Sequence, residues 1–215
     1  MFKLVIFDLD GTLFDSAGAI MESLNATFAG IGLGPYEWDR DVSPFFGRPF
    51  ALWAEHFLRE GGKYSRENAR KVTRKMFDNY AVIGPKRAKL NPGAIETLEG
   101  LKRKGVKLAV ATNMVRKDME IFLSRFAIGG FFDTACSVSD VAKGKPDPEE
   151  LDCILGKIKK INVKKSEILM VGDSATDQEF ARNSGIPVAL LNASWNKGLE
   201  PDYRIRNLRE VLGIV

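Results

Sequence analysis

The stretch Lys3-Leu4-Val5-Ile6-Phe7-Asp8-Leu9-Asp10-Gly11-Thr12 decides how the rest of the chain reads. Up to Phe7 it is a nearly unbroken apolar run, the pattern of a strand covered on both faces. Two aspartates follow at once. Carboxylates directly after a buried strand are costly unless a cation or hydrogen bonds compensate them. Gly11 gives the chain freedom to turn sharply, and Thr12 is placed to hydrogen-bond the local backbone.

Three further segments repeat the apolar pattern: 106–112 (VKLAVAT), 167–172 (EILMVG) and 186–191 (IPVALL), with a weaker fifth candidate at 132–137. Helical periodicity fills the intervals at about 92–104, 115–126, 148–160 and 175–184. Strand and helix alternate, so the expected fold is α/β, a Rossmann-like parallel sheet with helices on both faces. Asn91-Pro92 and Asp147-Pro148-Glu149-Glu150 each offer a capping side chain followed by proline at the first helical position. The second adds acidic groups where the helix dipole favours them. Residues 15–86 break the alternation. They read as helices at about 17–29, 49–60 and 66–81, punctuated by Gly32-Leu33-Gly34-Pro35 and Gly84-Pro85. The expected organisation is a catalytic core of residues 1–14 and 87–215, with a helical cap inserted at 15–86.

Composition narrows the chemistry. With 215 residues and 45% hydrophobic content, the chain can build one substantial core plus a smaller module. No apolar run approaches the roughly 18 residues of a membrane helix, and the apolar start is too short for a signal peptide, so the cytoplasm is the expected compartment. Cys136 and Cys153 are the two cysteines, which make neither a disulfide framework nor a zinc site. His56 is the single histidine, so paired histidines and Ser-His-Asp triads are excluded by count, and acid–base work falls to carboxylates and lysine. The net charge of +4 suits anionic ligands or a mildly basic, solvated surface. Lys157, Lys159, Lys160, Lys164 and Lys165 fall at a helix end and the loop after it, with no nucleic-acid-binding signature beside them.

Three polar signals share one structural place, just beyond the carboxyl end of a buried strand: Asp8 to Thr12, Thr112-Asn113, and Gly172-Asp173-Ser174-Ala175-Thr176-Asp177. In open α/β sheets that edge is where ligands bind, so these residues converge in space. Asp8, Asp10, Asp173 and Asp177 would bring four carboxylates to one crevice. They would repel and hold protons unless a metal inverts the local balance. Oxygen-only donors point to a hard cation, and Mg2+ fits best because it needs only a few carboxylates plus a phosphate oxygen. In Lys143-Gly144-Lys145-Pro146-Asp147-Pro148, Lys145 is the better placed of the two lysines to meet a phosphoryl group, since Pro146 fixes its backbone on one side.

Taken together, these motifs resemble the haloacid dehalogenase-like superfamily, in its phosphatase branch with a helical cap after the first strand. The likeness covers essentially the whole chain, in order and spacing. It implies that Asp8 is the nucleophile and that Asp10 is the general acid and base. Thr112, Asn113 and Lys145 would hold the phosphoryl group, helped by backbone N–H groups after Asp8. Mg2+ would be held by Asp8, the Asp10 backbone carbonyl and Asp173, with Asp177 and Ser174 behind them. The presence of Asp10 argues for phosphate chemistry over dehalogenation, which needs no acid at that position.

In the cap, the segment Ser43-Pro44-Phe45-Phe46-Gly47-Arg48 is the candidate substrate-facing loop. Arg48 would meet an anionic substrate group there, or else be a solvated surface cation. Phe50, Trp53 and Phe57 recur at helical spacing and read as packing, and His56 and Trp195 read as packing or surface residues. The leading expectation is a Mg2+-dependent phosphatase for a small phosphate ester, with no nucleic-acid or membrane partner. A phosphomutase of the β-phosphoglucomutase type, a phosphoprotein phosphatase and a non-catalytic binding protein are the rivals. Phosphoglycolate, sugar phosphates, nucleotides and pyrophosphate all suit a site of this kind.

Overall fold

A computed structural model describes residues 1–158 and 162–215. Lys159 and Lys160, with the expected end of the helix at 148–160, lie outside the described residues. The chain divides into two compact units, one formed by Met1–Asp15 and Leu90–Val215, the other by Ser16–Lys89.

The first unit is built on a six-stranded parallel sheet. Its strands are β1 (Leu4–Phe7), β4 (Lys107–Thr112), β5 (Thr134–Ser137), β6 (Ile168–Gly172), β7 (Val188–Leu191) and β8 (Tyr203–Ile205), in spatial order β5-β4-β1-β6-β7-β8. Two short strands, β2 (Phe14–Asp15) and β3 (Lys89–Leu90), mark where the chain leaves this unit and returns. The helices are α4 (Ala94–Arg103), α5 (Arg116–Arg125), α6 (Glu149–Lys157), α7 (Ala175–Ser184) and the short α8 (Val211–Ile214). Because side chains alternate along a strand, Leu4 and Ile6 join the cluster beneath α6 and α7 with Ile154, Met170 and Phe180. Val5 and Phe7 are equally buried and must serve the opposite face. That double burial is why β1 carries no polar residue until Asp8.

Register explains how distant motifs meet. Phe7 pairs with Val110 on β4 and with Val171 on β6, so Asp8, Thr112 and Asp173 emerge at nearly one level. β1 lies between the outward progression β4–β5 and the return β6–β7–β8, which is the topological switch point of the sheet. The sixth strand, β8, has no counterpart in the sequence reading. Its three residues are too few to display a period, and only its ladder to β7 defines it.

The second unit holds α1 (Ala17–Ala29), α2 (Phe50–Glu60) and α3 (Arg66–Arg87). Phe57 packs against Phe28 and Tyr36 with ring centroids 5.5 and 4.2 Å apart, and Trp53 is 1% exposed, so the aromatic stripe is packing as expected. His56 lies against the Phe45 ring at 4.5 Å. One expectation is corrected. Gly84-Pro85 does not end the third helix, which runs through to Arg87. Pro85 removes one N–H from the ladder, but the Ala88 N–H reaches the Gly84 carbonyl at 2.9 Å and the turn resumes. Among the described residues no helix is long and apolar enough to cross a membrane.

Candidate active site

The Asp8 N–H donates to the Val171 carbonyl (2.9 Å), continuing the sheet ladder and fixing where the carboxylate leaves β1. The chain then turns sharply. Gly11 has φ 83°, and the N–H groups of Thr12 and Phe14 both return to the Leu9 carbonyl. Gly11 N–H donates to Phe14 O, so the N–H groups of Gly11 and Thr12 are engaged within the turn. Asn91 corrects another expectation. Its side-chain amide donates to the carbonyls of Gly11 (3.0 Å) and Thr12 (2.7 Å) and does not cap the next helix, which starts from Gly93 at φ 84°.

Lys145 is the centre of the charge arrangement. Its ammonium, 2% exposed, donates to Asp8 Oδ1 and to Asp177 Oδ1, both at 2.7 Å. Lys143 by contrast is exposed, with its ammonium 3.9 Å from Asp147. The Lys145 peptide is gripped on both sides. Asn113 donates its side-chain amide to the Lys145 carbonyl (3.0 Å), and the Lys145 N–H donates to Glu150 Oε1 (3.4 Å). Asn113 therefore braces the lysine loop with the amide expected to meet phosphate. Thr112, at the end of β4 and buried, accepts the Met114 N–H on its hydroxyl (3.2 Å).

Asp173 and Asp177 come from the turn between β6 and α7. Asp177 Oδ2 accepts from the N–H groups of Asp173 and Ser174 (3.1 Å each) and from the Ser174 hydroxyl (2.7 Å), while the Ser174 hydroxyl caps Asp177 N–H. This is a capping box turned to a second use, because the other Asp177 oxygen holds Lys145. A Cβ on Gly172 would stand 2.4 Å from Asp177 Cγ, so only glycine lets the helix start come so close to the strand end. Asp173 Oδ1 accepts from the Thr12 hydroxyl (2.9 Å), which thus reaches across the site and does not serve the local backbone. Asp173 Oδ2 accepts from the Trp195 indole N–H (2.8 Å). Trp195 thus reaches the acidic turn with its polar edge.

Trp195, Asn196 and Glu150 carry no expectation of a site role, yet a signal existed for the first two. Ser194-Trp195-Asn196 follows β7 just as the other motifs follow their strands. Glu150 was legible only as a first-turn acid of α6, although its side chain is fully buried beside Lys145. Arg48 belongs to the other unit. It is exposed, and its carbonyl accepts the Trp53 indole N–H at 3.0 Å.

The electrostatics follow from the crowding of buried carboxylates. One carboxylate oxygen from each of Asp8, Asp173 and Asp177 lies within 4.8 Å of the others, all three residues buried. Burial, opposed by Lys145 and aided by Asp177, pushes the Asp8 carboxyl up to about 8. Asp173 is raised well above the ordinary carboxyl value by burial and then by Asp177 and Asp8. Glu150 is pushed up to about 7, chiefly by burial. Burial by itself would lower Lys145, but Asp177, Asp8 and Glu150 outweigh it and hold the ammonium charged. Oxygen-only donors and carboxyls pushed toward their protonated forms fit a hard divalent cation, whose charge would let them ionise.

These shifts set a pH dependence. Asp8 and Glu150 bind protons more tightly folded than unfolded, so the stability they contribute is complete below about pH 4 and is lost as pH rises through about 7 to 8. Thermal unfolding of metal-free protein is expected to show a melting temperature that falls from pH 5 to pH 8.5. Saturating Mg2+ should flatten that slope by favouring the ionised carboxylates. A profile equally flat with and without the ion would contradict this account.

A buried carboxylate at a strand end, a buried lysine clamp and a paired acidic turn meet at the sheet's switch point. A family model described as haloacid dehalogenase-like hydrolase matches residues 5–191, and the chain belongs to that family. It is an enzyme, and the relatives it resembles are phosphatases and pyrophosphatases. It is 32% identical over 185 residues to a phosphoglycolate phosphatase of Agrobacterium fabrum, covering 86% of this chain and 78% of the relative. It is 31% identical over 218 residues to the pyrophosphatase PpaX of Bacillus velezensis, covering 98% and 94%. A crystal structure of a predicted phosphoglycolate phosphatase from Haemophilus somnus superposes with a TM-score of 0.85 at 27% identity, covering 99% of this chain and 97% of that one.

Proposed function

We propose that this enzyme hydrolyses a small phosphate ester or anhydride with Mg2+, through a phosphoryl group carried transiently on Asp8. The observation that bears the proposal is the Asp8 carboxylate at the end of β1, paired at 2.7 Å with a buried Lys145 and beside Asp173. Asp8 forms a bond to phosphorus as the bond to the leaving oxygen breaks, and Asp10 gives that oxygen a proton. Asp10 then takes a proton from the water that displaces Asp8 from phosphorus. Lys145 and Thr112 hold the non-bridging phosphoryl oxygens, and Asn113 acts through the Lys145 loop. Asp8, Asp173 and the Asp10 backbone carbonyl are the donors for Mg2+, which when bound supplies positive charge to the phosphoryl oxygens and to the carboxylates. Asp177 and Ser174 anchor the acidic turn and Lys145. Positioning and charge compensation supply most of the rate.

The helical unit Ser16–Lys89 is the cap in this reading, with Arg48 as its contact for an anionic leaving group. The names of the relatives make phosphoglycolate and pyrophosphate the first compounds to test, followed by sugar phosphates and nucleoside monophosphates. Phosphate release over that panel is expected to require Mg2+ and to stop on chelation. Arg48→Ala is expected to raise KM for a substrate with a second anionic group and to leave simpler esters unchanged. Absence of phosphate release from every member, with Mg2+ present, would overturn the proposal.

A further inference from the structure

We infer that Trp195 is a positioning residue for Asp173, and that its indole is a built-in optical reporter of the cation bound there. The inference rests on the reading of Asp173 as a metal donor. Asp173 is 1% exposed, and its two carboxylate oxygens each receive one hydrogen bond from a different segment. Thr12 Oγ1 donates to Oδ1 at 2.9 Å and Trp195 Nε1 donates to Oδ2 at 2.8 Å. A carboxylate oxygen accepts at two lone pairs, so each keeps one for a cation while the pair of donors fixes the rotation of the group. The terminal torsion of aspartate is otherwise broad, and a free carboxylate must be ordered when the ion arrives.

The place of the indole is built rather than incidental. Asn196, 1% exposed, donates its amide to the carbonyls of Asp173 and Leu191, both at 2.7 Å. Its oxygen accepts from the Ala193 N–H and from Arg204 Nη1, each at 3.2 Å. The loop after β7 is thereby fastened to the peptide of Asp173, and the Trp195 N–H also reaches that carbonyl at 3.1 Å. Indole is a donor only, so Trp195 neither ligates the ion nor competes for it. Its action is through the orientation and charge density of Asp173, the kind of outer partner whose loss lowers metal affinity. The other two tryptophans, Trp38 and Trp53, lie in the helical unit.

The test uses the full chain with Mg2+ alone, without substrate. Titration is expected to change the indole emission along the same isotherm that calorimetry records, and Trp195→Phe is expected to abolish that change. The same variant should weaken Mg2+ binding about 10-fold or more by calorimetry, with its metal-free melting temperature within a few degrees of wild type. Binding within two-fold of wild type in Trp195→Phe, or a calorimetric isotherm with no indole signal in the wild type, would overturn the inference. Asp173→Asn separates the two levels. If it retains Mg2+, the metal-donor reading fails. If it loses Mg2+ while Trp195→Phe does not, the role of Trp195 alone fails.

Discussion

Asp8→Asn is expected to lower the turnover of phosphate release by at least ~10^4-fold while the protein stays folded. Asparagine keeps the shape of the side chain and an oxygen that can still accept from Lys145, so the ion-pair cradle is altered little in geometry. It removes the one anion that stands at the end of β1 with a lysine at 2.7 Å. Asp173 cannot substitute, because both of its oxygens are already oriented by Thr12 and Trp195. Two measurements check this: steady-state phosphate release, and acid-quench trapping of a phosphorylated Asp8 in the wild type. A variant within ten-fold of wild type would sink the assignment of the nucleophile.

Lys145→Ala is expected to be the most damaging substitution for the fold and nearly as damaging for activity. The lysine stands between two buried carboxylates, and removing one partner of a buried pair typically costs about 3–5 kcal/mol. Denaturant unfolding of the metal-free protein should show that loss with an unchanged slope. It should be larger at pH 9 than at pH 6, since burial raises the Asp8 carboxyl and the variant leaves that carboxyl without its cation as it ionises with rising pH. Activity should fall by ~10^3-fold with the loss of a preorganised cation at the phosphoryl group. Lys145→Arg is not a rescue, because a planar fork does not fit a socket shaped for two single hydrogen bonds. Equal stability of Lys145→Ala and wild type at pH 9 would contradict the clamp.

The identity of the fold was legible because its signals are strong and local. Buried parallel strands must be apolar throughout, so 3–8, 106–112 and 167–172 announce themselves and their ends announce the site. The helix expected at about 175–184 is found as Ala175–Ser184, where Ser174 and Asp177 form a capping box and Gly185 closes it in the left-handed region. Local rules failed where tertiary contacts overrode them. Asn91 looks like a cap, but two carbonyls of the Asp8 turn take its amide. Pro85 looks like a stop, but packing carries α3 two residues further.

By itself the sequence determined the class of sheet, the order of the acidic motifs and the choice of Lys145, because each depends on residue type and short-range spacing. Only the tertiary structure decided what each polar atom is used for. It gave Thr12 and Trp195 to Asp173, Asn113 to the Lys145 loop, and half of Asp177 to the lysine. It also buried Glu150 beside that lysine. Hydrogen-bond partners separated by up to 161 positions are set by strand register and helix docking, and no local pattern encodes them.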